Sequence, residues 1–349
     1  MRATLFSLIY RITRWIVTKA VYGVQALIRQ PKDLEPAVNL GDVALSSIGL
    51  VGAPFFHFKL PTCGAVDVFD LRFPSPIIAS SFKSEIPILN IWMQMGIGGV
   101  TLKTVMNNER KGNPRPRLQD ATYLGQKGLL NSMGLPGPGV DSFCQKLPSL
   151  PIWKYNRPIG ISVGGDNPES YVDTIQAIYQ IMTNLDKSYF YELNISCPNT
   201  EHGRTIGEDA NVLEALISKV RHITDKPISV KVSPDLHNDS LLKIGEICKN
   251  TDQVFINAGN TQFKRPNEVG IHQSHFSRNR GGLSGPTLFA RSLEMVSLLS
   301  QFKIPVMATG GVSSINHVKA AKERGATLCG LATALVLDPY CIPKINSEL

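Results

Sequence analysis

Apolar residues recur with a helical period over the first 30 residues of the chain. One face of a helical wheel collects Leu5, Ile9, Ile12, Ile16, Ala20, Val24 and Leu27. The opposite face is polar and basic and collects Ser7, Arg11, Arg14, Thr18, Gln25 and Arg29. A 3.6-residue period with two such faces predicts an amphipathic helix. The segment contains no run of 18 uncharged apolar residues, so we do not expect it to span a bilayer.

Short β-rich runs alternate with helical patterns from residue 70 onward. The eight runs are 76–79, 99–103, 159–163, 189–195, 228–232, 254–257, 305–308 and 327–331. Helical patterns lie between most of them, at 168–184, 211–223, 241–249, 287–301 and 316–324. Strands that alternate with helices form parallel sheets, and eight such units over about 255 residues match one barrel. The sequence therefore predicts the α/β class and a (β/α)8 TIM barrel with an N-terminal amphipathic helical extension.

Three parts follow from these patterns. We expect a basic amphipathic helix over residues 1–32, a connector over residues 33–64 and a catalytic barrel domain over residues 65–349. Proline and glycine recur between residues 33 and 60, so we predict irregular structure there. The uncharged stretch 86–102 contains Asn90, Gln94 and several glycines, which favours a helix followed by a buried strand over a membrane span.

The charge distribution sets the N-terminal segment apart. Residues 1–32 carry six bases and no acid, whereas the rest of the chain carries only two more bases than acids. A basic amphipathic helix is typical of segments that lie in a membrane interface and are attracted to anionic lipid. Two alternatives stay open: a helix packed on the protein's own surface, and a transit peptide. A nucleic-acid-binding protein would more often spread a basic stripe over its fold, so we expect no nucleic-acid partner.

Composition excludes several classes of protein. The chain is 43% hydrophobic and 18% charged, which supplies a core and excludes a disordered chain. Its six cysteines are too few for a disulfide scaffold and form no C-x-x-C pair. We therefore expect a reducing compartment and no metal site.

Polar residues and glycines follow the predicted strands at the end where barrels of this class carry catalysis. After the fourth strand, Cys197 lies between Asn194 and Asn199. Asparagine side chains donate and accept in one plane, as a cyclic amide edge requires. The alternative is a small buried cysteine in a turn. Gly310 and Gly311 follow the seventh strand, where a backbone without Cβ atoms can approach a phosphate or simply form a tight turn.

Two lysines, Lys103 and Lys231, end the second and fifth predicted strands. An ammonium buried there needs an anionic partner. A reduced flavin gains negative charge at its N1–C2=O edge, which a nearby cation would stabilise. The alternative is a lysine paired with a barrel carboxylate, but few acids stand at the strand ends, which favours the functional interpretation.

Five motifs in order resemble the dihydroorotate dehydrogenases. They are GNPRPR at 112–117, NSMGLP at 131–136, NISCPNT at 194–200, GGLSG at 281–285 and TGGV at 309–312. The resemblance covers residues 65–340 and implies an FMN-dependent barrel that oxidises dihydroorotate to orotate in pyrimidine synthesis. It also implies that hydride passes from C6 of the substrate to N5 of the flavin.

The resemblance also implies a role for individual residues. Cys197 is the implied base that removes the C5 proton. The implied substrate ligands are Lys103, Asn131, Asn194, Asn199, Asn260 and Thr261. The implied flavin contacts are Ala79, Ser80, Lys103, Ser162, Asn194, Lys231, Ile256, Ser284, Gly285, Gly310, Gly311, Ala332 and Thr333. Ser81 stands where many members have glycine beside the flavin.

The electron acceptor is not fixed by these motifs, because Cys197 is typical of soluble members and the basic N-terminal helix of membrane-bound ones. We expect a membrane quinone, with fumarate, NAD through a partner or another soluble oxidant as alternatives. The expected location is peripheral on the cytoplasmic side of a membrane, with the mitochondrial inner membrane as the alternative. A homodimer stays open. A dihydropyrimidine dehydrogenase-like enzyme and a catalytically silent, membrane-bound flavin binder are the rival functions.

Overall fold

The computed structural model describes residues 1–195, 206–207 and 209–349. Its strands, in chain order, are β1 (Val66–Val68), β2 (Leu71–Phe73), β3 (Ile77–Ala79), β4 (Gly99–Val105), β5 (Leu118–Tyr123), β6 (Gln126–Asn131), β7 (Ile159–Val163), β8 (Tyr189–Asn194), β9 (Ile228–Val232), β10 (Val254–Ala258), β11 (Gln262–Lys264), β12 (Gly281–Ser284), β13 (Val306–Thr309) and β14 (Leu328–Leu331). Its helices are α1 (Arg2–Leu27), α2 (Glu35–Val51), α3 (Ala53–Phe56), α4 (Ile86–Gln94), α5 (Gly139–Lys146), α6 (Pro168–Met182), α7 (Ala210–Ile223), α8 (Asn238–Lys249), α9 (Phe289–Ser300), α10 (Ile315–Glu323), α11 (Thr333–Leu337) and α12 (Cys341–Asn346).

Eight parallel strands close into a barrel in the order β3, β4, β7, β8, β9, β10, β13 and β14, with β14 pairing back onto β3. Each corresponds to one of the eight runs predicted from the sequence, so the (β/α)8 TIM barrel is confirmed. The strands are short and apolar because helices cover their outer faces; every residue of β7, β9 and β10 is buried. The stretch 86–102 forms helix α4 and then strand β4, as expected.

A hairpin closes the lower end of the barrel. Strands β1 and β2 pair antiparallel just before β3 enters the barrel. Their side chains join those from the first residues of the barrel strands in one apolar cluster, which consists of Val68, Leu71, Phe73, Ile78, Phe190, Phe255, Met307 and Leu328. All are at most 1% exposed, so the amino-terminal end of the barrel is sealed.

Two long connections, one between β4 and β7 and one between β10 and β13, contain a second sheet for which the sequence analysis predicts no strands. Strands β11, β12, β6 and β5 pair antiparallel in that order. Gly282 of β12 lies opposite Asn131 of β6, so the sheet joins the NSMGLP and GGLSG motifs. Both connections follow barrel strands at their carboxyl ends, and the sheet therefore lies at the mouth of the barrel.

The expectation of irregular structure over residues 33–60 was wrong. Helix α2 occupies most of that range, and α3 follows it. Pro36 lies in the first turn of α2, where a helix needs no N–H donor, so this proline starts the helix instead of interrupting it. Asp33 and Glu35, on either side of the helix start, form ion pairs with Arg115 and Arg117 of the motif at 112–117.

Helix α1 packs on the barrel through its polar face. Oγ of Ser7 donates to Asp338 at 2.7 Å, and Arg14 pairs with Asp120 at 2.6 Å. The predicted apolar face points outward, with exposed side chains at Leu5, Leu8, Ile9, Ile12, Trp15, Ile16, Val24 and Leu27. The apolar face is confirmed as one exposed surface. Of the predicted polar face, the protein covers Ser7, Arg14, Thr18 and Gln25, whereas Arg11 and Arg29 are exposed. Among the described residues, no helix has the length and apolar character needed to cross a bilayer.

Candidate active site

Side chains that point into the barrel form two layers. Residues two apart on a strand share a face, so the interior residues of each strand can be followed upward in steps of two. The lower layer is the apolar cluster at the sealed end. The upper layer, near the carboxyl ends of the strands, is polar and contains Ser80, Lys103, Ser162, Glu192, Asn194, Lys231, Asn257 and Thr309. The polar layer lies at the end where the sequence analysis expected catalytic groups.

Lys231 is paired with a carboxylate that the sequence analysis overlooked. Its Nζ lies 3.8 Å from Oε1 of Glu192 and donates to Oγ of Ser81 at 2.9 Å. Glu192 is 0% exposed and also accepts from Nδ2 of Asn257 at 2.8 Å. Few acids stand at the very ends of the predicted strands, but Glu192 lies two residues before Asn194, on the same face of β8. Period-two counting back from Asn194 could have found it.

Asn194 is held by hydrogen bonds that join three barrel strands. Its Nδ2 donates to Oγ1 of Thr104 at 2.9 Å, and that oxygen lies 3.0 Å from Oγ of Ser162. Thr104 was not among the predicted site residues. The other amide atom of Asn194, Oδ1, is buried and has no hydrogen-bond partner within the described residues. The amide is therefore fixed in orientation, with an acceptor left for a ligand.

Lys103 lies on β4, where its backbone N–H donates to the carbonyl of Lys83 at 3.1 Å. Burial lowers the pKa of the Lys103 ammonium from its ordinary value of 10.5. The Glu85 carboxylate opposes this shift, while the positive charges of Arg117 and Lys83 reinforce it. Lys83 is paired with Asp42 and Arg117 with Glu35, whereas Lys103 forms no ion pair within the described residues. Its ammonium is therefore left to pair with an anionic ligand.

The outer sheet contributes the next group of predicted residues. Nδ2 of Asn131 donates to the carbonyl of Gly282 at 3.2 Å. A Cβ at Gly282 would lie 2.0 Å from Oγ1 of Thr261, so glycine is required for Thr261 to approach. The N–H of Thr261 in turn donates to Oδ1 of Asn260 at 2.8 Å. The structure therefore brings Asn131, Asn260 and Thr261 together at one edge of the mouth.

The glycine turns meet at another edge. Gly310 and Gly311 follow β13 with φ of +126° and +78°, which favour glycine. A Cβ at Gly311 would lie 2.9 Å from the carbonyl of Pro286, just beyond the predicted contacts Ser284 and Gly285. Oγ1 of Thr333, which with Ala332 follows β14, donates to Oγ of Ser284 at 2.7 Å.

The remaining predicted residues divide into two groups. Ala79 and Ile256 are buried within β3 and β10, but they alternate with the inward-pointing residues of those strands, so their side chains pack outward in the core shared with the helices. They can face the barrel interior only through their backbone. Cys197 and Asn199 lie outside the described residues, so their predicted roles stay predictions. Both follow β8, whose last residue is Asn194.

Several buried polar atoms of the upper layer lack a hydrogen-bond partner within the described residues. They are Oγ of Ser80, Oδ1 of Asn194, Oδ1 of Asn257 and Oγ1 of Thr309. A buried polar atom left without a partner costs about 1–3 kcal/mol. Oγ1 of Thr101 and Oγ of Ser229, two residues below Lys103 and Lys231, are likewise without a partner within the described residues. The unpartnered atoms near the mouth are those that a polar ligand could bond.

Comparisons with known proteins agree with this architecture. Residues 64–349 match the family model described as dihydroorotate dehydrogenase. The chain is 30% identical over 284 residues to the catalytic subunit of dihydroorotate dehydrogenase B (NAD(+)) from Malacoplasma penetrans, covering 80% of this chain and 89% of that protein. It is 29% identical over 297 residues to a dihydroorotate dehydrogenase (quinone) from Chloroflexus aurantiacus, covering 79% of each. The crystal structure of ligand-free DHODH from Eimeria tenella shares the fold, with a TM-score of 0.75 at 20% identity over 88% of this chain and 93% of that one.

Proposed function

Because the chain belongs to the dihydroorotate dehydrogenase family, we propose that it oxidises dihydroorotate to orotate in pyrimidine synthesis, with FMN as its cofactor. The observation that carries the proposal is the polar layer of the barrel, where Lys103, Asn194 and Lys231 lie near the carboxyl ends of three strands. Asn194 and Lys231 lie directly opposite each other on adjacent strands. A cation and a fixed amide at one level suit a charged, amide-rich ligand.

The described residues fit FMN. The unpartnered atoms of Ser80, Asn194, Asn257 and Thr309 can bond the polar edges of a flavin ring. Gly310 and Gly311 have no Cβ atoms where the backbone would approach a phosphate. The remaining proposed flavin contacts are Ala79, Lys103, Ser162, Lys231, Ile256, Ser284, Gly285, Ala332 and Thr333. When bound, FMN supplies the two-electron acceptor of the reaction.

The protein's own residues account for substrate binding and proton removal. Dihydroorotate has a carboxylate, for which the Lys103 ammonium supplies a positive charge. The amides of Asn131, Asn194, Asn199 and Asn260, with Thr261, supply donors and acceptors for the ring edges. In this proposal Cys197, as the thiolate, accepts the C5 proton.

We assign the outward face of α1 and α2 to a membrane surface. Exposed apolar side chains continue from α1 onto α2 at Leu40, Val43 and Ile48. Arg11, Lys19 and Arg29 of the N-terminal segment are exposed as well, and their positive charges complement anionic lipid. A peripheral enzyme held there would reach a membrane quinone, the acceptor named for the Chloroflexus aurantiacus relative. The proposed domains are thus a membrane-associating helix at 1–32, a connecting segment at 33–64 and a catalytic barrel at 65–349.

Anaerobic mixing with dihydroorotate tests the reaction. We expect the oxidised flavin band at about 450 nm to bleach, and dihydrouracil to leave it unchanged. A Cys197→Ala variant should retain FMN and lose turnover near neutral pH. Protein that is colourless and cannot be reconstituted with FMN contradicts the proposal, and bleaching by dihydrouracil alone supports the dihydropyrimidine dehydrogenase-like function.

The acceptor and the membrane are tested separately. Steady-state rates with quinone, fumarate and NAD, measured side by side, identify the oxidant. Flotation with phosphatidylcholine vesicles that contain phosphatidylglycerol tests docking, and Ile12→Glu should abolish it. Ile181→Glu is the matched control, because Ile181 is an exposed isoleucine on α6. Equal flotation of the two variants would overturn the docking surface.

A further inference from the structure

Glu192 supplies a carboxylate to the polar layer, and the proposed reaction leaves it without a role. Its side chain is fully buried inside the barrel. Burying a charge is costly unless it is paired and hydrogen-bonded. Glu192 meets both conditions, with a hydrogen bond from Ser81 at 2.6 Å, another from Asn257 at 2.8 Å and the Lys231 ammonium at 3.8 Å.

Ser81 is placed between the two charges. Its hydroxyl donates to Glu192 and accepts from Nζ of Lys231 at 2.9 Å. The lysine and the glutamate are therefore linked through one oxygen instead of making a direct hydrogen bond. This arrangement holds the ammonium 3.8 Å from the carboxylate, beyond the length of a direct hydrogen bond.

We infer that Glu192 and Ser81 are positioning residues that set the electron affinity of the flavin through Lys231. The inference rests on the proposed function, because it requires FMN at the barrel mouth. Reduced flavin gains negative charge, which the Lys231 ammonium stabilises and the Glu192 carboxylate destabilises. Ser81 sets the distance between the Lys231 ammonium and the Glu192 carboxylate. That distance determines how strongly the positive charge of Lys231 stabilises the reduced flavin.

The two residues have opposite predicted effects on the reduction potential of the bound FMN. Glu192→Gln removes a buried negative charge with little change in shape, so the potential should rise. We expect about a tenfold change in the reduction equilibrium, about 30 mV for a two-electron couple. Ser81→Ala lets Lys231 move onto Glu192 and away from the flavin, so the potential should fall. A residue needed only for packing would not give shifts of opposite sign.

Equilibration of the purified holoenzyme with a redox dye measures these potentials without turnover. Ser81→Thr retains a hydroxyl and should restore the wild-type value. Ser229→Ala is the matched control, since Ser229 is a buried serine two residues below Lys231 on β9. If Glu192→Gln fails to fold, the potentials of Ser81→Ala and Ser81→Thr still test the inference.

Shifts of the same sign, or changes below about twofold in the equilibrium, would overturn the inference while wild-type flavin bleaching still supported the proposed function. Absence of flavin from the wild-type protein would instead remove the proposed function itself.

Discussion

Nε of Arg117 donates to Oε1 of Glu35 across 2.6 Å, which joins the motif at the barrel mouth to the first turn of α2. The two side chains are only 12% and 13% exposed. Arg117 also donates to the carbonyls of Lys111 and Asn113, so one guanidinium holds both the loop and the helix. Helix α2 is therefore part of the wall of the mouth.

Replacing Arg117 should lower the free energy of unfolding of the protein. Arg117→Met removes the nearer partner of the mostly buried Glu35 carboxylate and leaves it only Arg115, at 3.5 Å. We expect a loss of about 2 kcal/mol in the free energy of unfolding. Denaturant titration measures it, and a double-mutant cycle with Glu35→Gln isolates the pair. The control is Arg72→Met, because the Arg72–Asp67 pair is 67% and 57% exposed and should contribute less than about 1 kcal/mol. Equal losses of unfolding free energy in the two variants would show that the buried pair stabilises the protein no more than the exposed one.

The pH dependence of substrate capture should follow Lys103. Burial lowers the pKa of this ammonium from 10.5, so the positive charge is lost earlier than in an ordinary lysine as pH rises. We expect kcat/KM for dihydroorotate to fall on the alkaline side through that lowered pKa. The stability of the ligand-free protein should rise over the same range, because the fold disfavours the protonated form.

Two variants check this assignment. Lys103→Arg keeps its charge at all accessible pH values and should remove the alkaline limb of the profile. Lys322→Met, at an exposed lysine of α10, should leave the limb in place. An alkaline limb that persists in Lys103→Arg would assign the titration to another group.

Gly311 should be needed for FMN retention. Its φ of +78° disfavours other residues, and a Cβ would lie 2.8 Å from the backbone N of Phe289. Gly311→Ala must shift the turn at a cost of about 1–3 kcal/mol, and we expect the FMN dissociation constant to rise about tenfold. Fluorescence titration of released FMN measures this change.

Gly137→Ala is the matched control, because its added Cβ would meet nothing within 4 Å. The control should bind FMN as the wild type does. If Gly311→Ala bound FMN equally well, the turn after β13 would not be part of the phosphate site.

The barrel could be predicted from the sequence because each of its strands has a recognisable pattern within a few consecutive residues. Each barrel strand is a short apolar run between turns, and the step of two along β8 carries Asn194 and Glu192 to the same face. Strand β11 has only three residues and β12 is rich in glycine, so neither has a pattern of its own. Their sheet exists because β6 supplies a partner that lies far away in the sequence.

The orientation of α1 also depended on distant residues. A helical wheel separates the two faces but does not say which one meets the protein. Ser7 and Arg14 bond to Asp338 and Asp120, which lie 331 and 106 positions away. These long-range contacts turn the polar face inward. Helix α2 was missed for a local reason, since Pro36 is compatible with a helix start as well as with a turn.

The sealed lower end of the barrel has a kinetic consequence. The hairpin of β1 and β2 plugs that end with side chains that water does not reach. In the proposed reaction, the substrate, the product and the electron acceptor therefore all use the opposite, open end of the barrel. Molecules therefore reach the site from one side only. Helices α1 and α2, which form ion pairs with Asp120 and Arg117, lie on that side of the barrel.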